Sequence, residues 1–366
     1  TGEQGINAGV VRSRAGFLTR GDRAFQPLDG SKVRKVLFLR PEKIGDMVIS
    51  FPVFDGLRQR FPHIKQSILG SPKNLAVIKD DPRFDRVFVY RKNIWKDACE
   101  VRAMRREHFD CVIDMICDDS VTALMLSQSC APGKPRIGVG KVKYRQYYDF
   151  NYDHRKGNTG HIIQNTLALL SAFDIDPAGV EPYAQPHIAP EVLAEGRRFV
   201  VSLKAGTDRS RVIGYNLSAG SPTRILPTEK SIELIKRLTS ENPGSQVLLL
   251  VAPADRWRAL AIEQAVSGNV KIVPEGQNLM QASAIVAHLD LLISPDTSMI
   301  HIARAFHVPV VGLYSRFMKN FLLWRPFGQE HGAVLSGNDD NIFDITVDQI
   351  LQAVRQVADE IKAEAK

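Results

Sequence analysis

The stretch that decides the fold lies at residues 290–314 and reads DLLISPDTSMIHIARAFHVPVVGLY. Residues 291–293 form a short apolar run, which is typical of a buried strand, and the Pro-Asp-Thr-Ser sequence that follows can start a helix. Apolar residues then recur at helical spacing, and residues 308–313 have the pattern of a second strand. The stretch therefore predicts one β-turn-α-β unit of a parallel sheet.

Four polar residues lie where the predicted strand meets its helix: Asp296, Thr297, Ser298 and His301. In a parallel sheet this loop opens at the carboxyl edge, where the N–H groups of a helix start can bind an anion. Asp296 can accept from sugar hydroxyls, Thr297 and Ser298 can donate to a phosphate, and His301 is expected to face the same edge. The alternative is that Asp296 and Thr297 only cap the helix, with His301 a half-buried histidine whose hydrogen bonds are satisfied.

Strand and helix patterns alternate on both sides of this unit. The apolar run at residues 35–39 opens one series, which includes a helix predicted near residues 73–79, and residues 212–217 open a second. Pro52 is expected to kink the helix after the first strand or to mark its first turn. The alternation predicts an α/β protein with two Rossmann-like domains, whose parallel sheets face a cleft. The predicted boundaries are a flexible N-terminal arm at 1–30, an N-terminal acceptor domain at 31–175, a Pro-rich linker at 176–190, a C-terminal nucleotide-sugar domain at 191–345 and an amphipathic helix at 346–366.

Composition excludes several classes of protein. The 366 residues are 44% hydrophobic and 24% charged, as is ordinary for a soluble protein, and no apolar run is long enough to cross a bilayer. The start of the chain has no apolar segment of the kind that directs secretion, so a cytoplasmic location is expected. The four cysteines lack the spacing of metal ligands and are interpreted as reduced core residues: Cys99, Cys111, Cys117 and Cys130.

The net charge of +8 is unevenly spread. Residues 134–156 interleave Lys and Arg, among them Lys141, Lys143 and Arg145, with tyrosines and phenylalanine. Such a stretch would suit an anionic, amphiphilic partner. Single-stranded nucleic acid is a competing partner, but no nucleic-acid motif accompanies the stretch, so we do not expect nucleic acid to bind. The remaining alternative is a solvated loop between domains.

Residues 40–48, RPEKIGDMV, form the turn between the first strand and its helix. Arg40, Lys43 and Asp46 lie there, and Gly45 allows a tight backbone. The carboxylate of Asp46 is expected at the carboxyl edge, where it can accept a proton from an attacking hydroxyl. The alternative is that Asp46 serves as an N-cap favoured by the helix dipole.

Two loops in the second half carry further candidates. Residues 215–230 place donors for a diphosphate beside the positive charge of Arg224, and these donors are Ser218, Gly220, Ser221 and Thr223. The alternative is a turn with an exposed arginine. Asp255 follows the next predicted strand and can hold a nucleoside hydroxyl, with helix capping as the alternative.

These segments resemble the heptosyltransferases of glycosyltransferase family 9. Asp-Thr-x-x-x-His-x-Ala followed by Ala-x-x-x-Pro-Val-x-x-Leu-Tyr is similar to the donor-site segment of that family, with Ser298 where Gly is usual. The Arg-x-x-x-Ile-Gly-Asp sequence ending at Asp46 resembles the amino-terminal motif, whose Asp is regarded as the general base. Residues 215–230 resemble the segment that supplies the phosphate-binding cation, at Arg224, but Ile225 and Leu226 replace the usual basic-aromatic pair.

The resemblance implies a GT-B fold and an inverting, metal-independent transfer of heptose from ADP-L-glycero-D-manno-heptose to the inner core of lipopolysaccharide. It implies a nucleotide-sugar donor, an anionic glycolipid acceptor contacted by Arg40, Lys43 and the basic stretch, and a peripheral position on the inner face of the inner membrane. No cofactor and no metal are expected, because the departing diphosphate would be neutralised by Arg224, hydroxyls and a helix start. Two alternatives stay open: a family 9 transferase with another donor or acceptor, and a non-catalytic binding module on the same fold.

Overall fold

The structure is a computed structural model that describes residues 8–12, 18–24, 26–154, 160–204, 211–266 and 268–364. The chain divides into two compact units, Thr1–His187 and Ile188–Lys366. Each unit contains a six-stranded sheet in which every pairing is parallel. The predicted α/β class with two parallel sheets is therefore confirmed.

The first unit begins with an antiparallel pair of strands, in a segment where the sequence predicted no regular structure. The main series of strands and helices follows, and the elements are β1 (Ala8–Arg12), β2 (Leu18–Ala24), β3 (Lys35–Leu39), α1 (Ile44–Val48), α2 (Phe51–Arg60), β4 (Lys65–Gly70), β5 (Arg86–Val89), α3 (Ile94–Arg106), β6 (Cys111–Asp114), α4 (Val121–Cys130), β7 (Arg136–Val139), β8 (Phe150–Tyr152) and α5 (Ile162–Leu167). Strands β3 to β8 form the sheet in the order β5-β4-β3-β6-β7-β8.

The second unit repeats this arrangement. Its elements are α6 (Pro190–Leu203), β9 (Val212–Asn216), α7 (Thr228–Glu241), β10 (Gln246–Leu250), α8 (Arg256–Ala265), β11 (Val270–Ile272), α9 (Leu279–Val286), β12 (Leu291–Pro295), α10 (Ser298–Ala305), β13 (Val310–Tyr314), α11 (Met318–Trp324), β14 (Ala333–Leu335) and α12 (Val347–Glu364). The sheet order is β11-β10-β9-β12-β13-β14. In both units the strand order reverses beside the first strand of the sheet, and ligands of such sheets bind at the carboxyl ends of the strands that flank this reversal.

The predicted β-turn-α-β unit is β12-α10-β13, and all five residues of each strand are buried. Pro52 lies in the first turn of α2, so the helix that follows β3 is split in two at that point. Of the two expectations for Pro52, the one that it marks the first turn of a helix is therefore confirmed.

The prediction of a helix near residues 73–79 is wrong, because only a 3₁₀ turn, Leu75–Val77, forms there. The reason is a tertiary contact. The buried amide of Asn74 donates to the carbonyl of Arg40 at 2.7 Å and accepts from the N–H of Ser71 at 2.8 Å, which fixes the segment as a turn. Local pattern does not report such a contact.

The cysteine interpretation holds in part. All four thiols are free, and Cys111 and Cys130 are buried, where burial raises the pKa of Cys130 to about 12. Cys99 is exposed on α3, so the prediction of a core residue is wrong there. No helix among the described residues is long and apolar enough to span a membrane.

Candidate functional site

The candidate residues of the second unit meet where β9 and β12 lie side by side. Asn216, the last residue of β9, is buried and donates to Ser294 Oγ at 3.0 Å and to Thr297 Oγ1 at 3.1 Å. Thr297 occupies the N-cap of α10, and its side chain makes no capping hydrogen bond. The alternative that Thr297 caps the helix through its hydroxyl is therefore wrong, and Asn216 holds that hydroxyl at the sheet edge instead. Sequence analysis missed Asn216, although an amide that ends an apolar strand is an available signal.

Arg224 and Asp296 form an ion pair at the same edge. Nη1 of Arg224 lies 3.1 Å from Oδ2 of Asp296, and the Asp296 carboxylate also accepts from Nδ2 of Asn320 at 3.0 Å. The Arg224 side chain remains 41% exposed and the Asp296 side chain only 16%. The guanidinium therefore keeps donors directed to solvent, while its contacts with the carboxylate and the backbone carbonyl of Asp296 fix its position. Asn320, on α11, was not predicted.

The loop after β9 is ordered by its own hydroxyls. Ser218 Oγ accepts from the N–H of Ala252 at 2.9 Å, and Ser221 Oγ lies 2.9 Å from Thr223 Oγ1. Gly220 is exposed, with open space where a Cβ would stand. The structure thus brings these donors, predicted from sequence, together with Arg224 on one loop.

His301 lies deeper than the sequence analysis predicted. It is only 6% exposed, and its ring centroid lies 5.6 Å from that of Trp324. Ser298, the first residue of α10, is half-buried at the sheet edge. His301 thus packs against Trp324 next to the loop, and its contact with a ligand stays a prediction.

The loop after β10 ends at Asp255, and a buried arginine follows in the first turn of α8. Asp255 is the N-cap residue of α8 but makes no side-chain capping bond, so the capping alternative is wrong. Arg258 is buried and donates to the carbonyls of Leu217 and Leu226, which fixes the loop between β9 and α7 from below. Burial lowers the pKa of Arg258 from its ordinary value. Sequence analysis did not predict this contact.

In the first unit Asp46 lies at the start of α1, the helix that follows β3, which is the position that the sequence predicted. It is the third residue of α1, and Oδ2 accepts from the N–H of Lys43 at 3.0 Å, so Lys43 and not Asp46 is the N-cap residue. Nη2 of Arg40 lies 3.7 Å from Oδ1 of Asp46. The carboxylate is thus oriented by one hydrogen bond and one buried cation, which leaves lone pairs on both oxygens.

Arg40 is 1% exposed, which contradicts its prediction as an acceptor contact. Its guanidinium bonds Glu42 at 2.6 Å, the backbone carbonyl of Asp46 at 3.0 Å and the carbonyl of Met115. Burial raises the pKa of Glu42 above its usual value, although Arg40 opposes this. Arg40 therefore holds the turn that carries Asp46, while Lys43 is exposed and stays an acceptor candidate.

Lys141 also contradicts its prediction as an acceptor contact, because its side chain is fully buried. Its ammonium lies 2.8 Å from Oδ2 of Asp114 and donates to the carbonyls of Ile116 and Asp118 at 2.6 and 2.9 Å. Tyr148 donates to the same Asp114 oxygen at 2.6 Å. Lys141 therefore fixes the loop between β6 and α4.

Lys143 and Arg145 differ from Lys141 in exposure. Lys143 is exposed, with Nζ 5.3 Å from the Tyr144 ring centroid, and Arg145 is half-buried. The backbone around them is held by Asp119, which accepts from the N–H groups of residues 142–144. The described part of the basic stretch is thus folded against the sheet, partly as β7 and β8, which argues against a solvated loop between domains.

We predict that Lys141→Met lowers the free energy of unfolding by about 3–5 kcal/mol, because it leaves the Asp114 carboxylate buried without its cation. Lys143→Met is the matched control, with an expected change within about 0.5 kcal/mol. Urea unfolding of both variants measures the difference. Equal stabilities would contradict the assignment of Lys141 to the buried network.

Among the described residues, no group of three or more His, Cys, Asp or Glu side chains is arranged to hold a metal ion. Metal independence remains a prediction.

Comparison with known proteins gives concordant matches. The model of glycosyltransferase family 9 (heptosyltransferase) matches residues 100–346. The lipopolysaccharide core heptosyltransferase OpsX of Haemophilus influenzae is 20% identical over 296 residues, which cover 79% of this chain and 81% of that protein. Among solved structures, a family 9 glycosyl transferase from Veillonella parvula superposes with a TM-score of 0.73 at 17% identity, covering 91% of this chain and 99% of that one. The ADP-heptose lps heptosyltransferase II of E. coli gives a TM-score of 0.67 at 17% identity, covering 90% and 99%.

Proposed function

Because the chain belongs to glycosyltransferase family 9 (heptosyltransferase), we propose that it moves heptose from ADP-L-glycero-D-manno-heptose to the inner core of lipopolysaccharide, with inversion at the anomeric carbon. Family membership and the matching GT-B structures make it a glycosyltransferase of the predicted fold. The donor, the acceptor and the stereochemical course are our proposal.

One observation carries the donor side of the proposal. Arg224 and Asp296 come from two loops 72 residues apart, yet they pair at the point where β9 and β12 adjoin. A guanidinium next to a helix start is suited to a diphosphate, and a carboxylate beside it is suited to sugar hydroxyls. We assign the ADP phosphates to Arg224, to the hydroxyl-rich loop after β9 and to the start of α10 at Thr297 and Ser298.

The acceptor side rests on Asp46. In the proposed reaction the acceptor hydroxyl attacks the anomeric carbon, its proton passes to the Asp46 carboxylate, and the bond from that carbon to the ADP oxygen breaks. ADP leaves with the bonding electron pair, and Arg224 stabilises the added negative charge. Attack on the face opposite to the leaving ADP inverts the configuration.

Recognition of the two substrates completes the assignment. We assign Asp255, whose side chain makes no capping bond, to a hydroxyl of the nucleoside. We assign the cations to the anionic acceptor, and they are Lys43, Lys143 and Arg145. Support comes from the related proteins, one of which is described as acting on the lipopolysaccharide core and another as using ADP-heptose. We infer that the enzyme works on the cytoplasmic face of the inner membrane, where a lipid-linked acceptor would be available to it.

Calorimetric titration without divalent metal tests the donor assignment. ADP-heptose and ADP are expected to bind more tightly than UDP and GDP. A preference for UDP or GDP would indicate that the donor is another nucleotide sugar. The replacement of the family's basic-aromatic pair by Ile225 and buried Leu226 is the feature that motivates this alternative. Failure to bind any nucleotide would contradict a donor site and favour a non-catalytic module.

A further inference from the structure

The start of α3 exposes two large apolar side chains in succession. Ile94 is 79% exposed and Trp95 is 81% exposed, the highest values among the exposed large apolar residues of the described chain. Helix α4, which packs beside α3, adds Val121 at 52% and Met125 at 63% exposure. A Trp side chain that is 81% exposed leaves most of its apolar area in contact with water, and a partner that covers this area would gain free energy from its burial.

Cations surround this apolar tip and continue along the helix. We define the α3 surface as residues 91–106, and its exposed basic side chains are Arg91, Lys92, Lys96, Arg102, Arg105 and Arg106. The acids of the segment are engaged locally, since Asp97 accepts from the N–H groups of Arg91 and Asn93 and Glu100 pairs with Arg91 at 2.7 Å. Within the described residues, the other five cations make no ion pair, so the surface is positive.

The start of the α3 surface, with Ile94 and Trp95, lies at the same sheet edge as the proposed base. Helix α3 starts directly after β5, and α1, which carries Asp46, starts directly after β3. These parallel strands are separated only by β4, so their ends are about 10 Å apart across the sheet. A surface that binds Ile94 and Trp95 is therefore near the place where the acceptor hydroxyl would be deprotonated.

We propose that the α3 surface docks the enzyme onto an anionic phospholipid membrane. Trp favours the region between headgroups and acyl chains, and Ile94 adds apolar area that a bilayer buries. The adjacent lysines and arginines attract anionic headgroups. This inference rests on the proposed function, because a lipid-anchored acceptor is what makes membrane contact at this edge useful.

Vesicle flotation tests the proposal with the full chain. The wild-type protein is expected to float with phosphatidylglycerol-containing vesicles, to bind pure phosphatidylcholine vesicles much less and to be released by salt. Ile94→Ser with Trp95→Ser is expected to weaken partitioning by about tenfold or more, because both inserted side chains are lost. Trp257→Ser, a change of an equally apolar residue that is 69% exposed on the other unit, is the matched control and is expected to bind as the wild type does.

Charge is tested separately. Arg102→Gln, Arg105→Gln and Arg106→Gln together are expected to reduce binding to anionic vesicles and to flatten its dependence on salt. Unchanged flotation of either the apolar or the charge variant, or equal binding to neutral vesicles, would overturn the proposal. So would dimerisation through this surface in place of vesicle binding.

Fluorescence gives a reading that does not depend on a loss of binding. A chain with Trp257→Phe and Trp324→Phe retains Trp95 as its one tryptophan. Its emission is expected to shift to shorter wavelength with anionic vesicles and to be quenched by brominated acyl chains. No shift at saturating anionic lipid would overturn insertion of Trp95.

Failure of this proposal is distinguishable from failure of the proposed function. The double variant at Ile94 and Trp95 is expected to transfer sugar to a lipid-free acceptor oligosaccharide at the wild-type rate, and to lose rate only on acceptor embedded in vesicles. Equal loss on both acceptors would assign the two residues to substrate binding and not to membrane docking. Absence of wild-type transfer to the lipid-free acceptor would instead count against the proposed function.

Discussion

Asp46→Asn is expected to lower kcat by about 10²–10⁴-fold, because the amide cannot take the proton of the acceptor hydroxyl. The amide oxygen can still accept from the N–H of Lys43, and Arg40 keeps its hydrogen bond to the backbone carbonyl of residue 46, so the start of α1 is kept. Only the 3.7 Å contact of Arg40 with the second carboxylate oxygen is lost. Affinity for ADP is expected to stay within about twofold, since Asp46 belongs to the first unit and the nucleotide contacts to the second. Steady-state kinetics and calorimetry on the same preparation measure both quantities.

Asp97→Asn separates the chemical role of Asp46 from helix capping. Asp97 lies in the first turn of α3 and likewise accepts from backbone N–H groups, at 2.8 Å each. Its variant is expected to keep the wild-type kcat on a lipid-free acceptor. If Asp46→Asn retained more than about half of the wild-type kcat, Asp46 would not be the base and its role would be structural.

Arg224→Ala is expected to weaken ADP-heptose binding by about 10–100-fold, because the charge-assisted hydrogen bonds from Arg224 to the diphosphate are lost. A further fall in kcat of about 10²-fold is expected, because the charge on the departing ADP grows in the transition state. Arg224→Lys keeps a positive charge but not the planar group of donors, so an intermediate effect is expected. Calorimetry and initial rates at saturating donor separate the two losses.

Arg237→Ala is the matched control for Arg224→Ala. Arg237 belongs to the same unit, has a similar exposure of 35%, and pairs with Asp348 at 2.6 Å on the surface formed by α7 and α12. Its replacement is expected to leave donor affinity and kcat unchanged. A loss of donor affinity equal in both variants would indicate a general effect of charge and contradict a specific role of Arg224.

The sequence predicted the fold well where a local pattern coincided with burial. The run at 291–314 has apolar strands of the right length around a helix with an apolar face, and β12, α10 and β13 form there. The turn that carries Asp46 was predicted equally well, because Gly45 before it and Pro52 after it are residues typical of turns and helix starts. In these places local preference and tertiary packing favour the same structure.

The predictions that depended on side-chain partners were less successful. Lys141 and Lys143 are two residues apart in one basic stretch, yet one is fully buried against Asp114 and the other is exposed. The partner of Lys141 lies 27 residues earlier, at the end of β6, and no local pattern reports that pairing. Arg40 was likewise placed on the acceptor, whereas it is enclosed by Glu42, Asp46 and the carbonyl of Met115.

The site also contains residues that carry no motif. Asn216 fixes Thr297, Asn320 holds Asp296, and Arg258 supports the loop that carries Arg224. Each of these residues contacts a partner that is distant in the sequence. From the sequence alone, each looks like an ordinary surface or strand residue. The sequence therefore indicates the groups that are proposed to meet the substrates better than it indicates the groups that hold them in place.

The most direct test of the proposed function is a transfer assay in EDTA with ADP-heptose and a lipid-free oligosaccharide of the lipopolysaccharide inner core. We expect that ADP is released and that NMR of the product shows a heptoside whose anomeric configuration is opposite to that of the donor. A product with the donor's configuration would contradict the single displacement with Asp46 as base. No transfer of heptose under these conditions would contradict the proposed function itself.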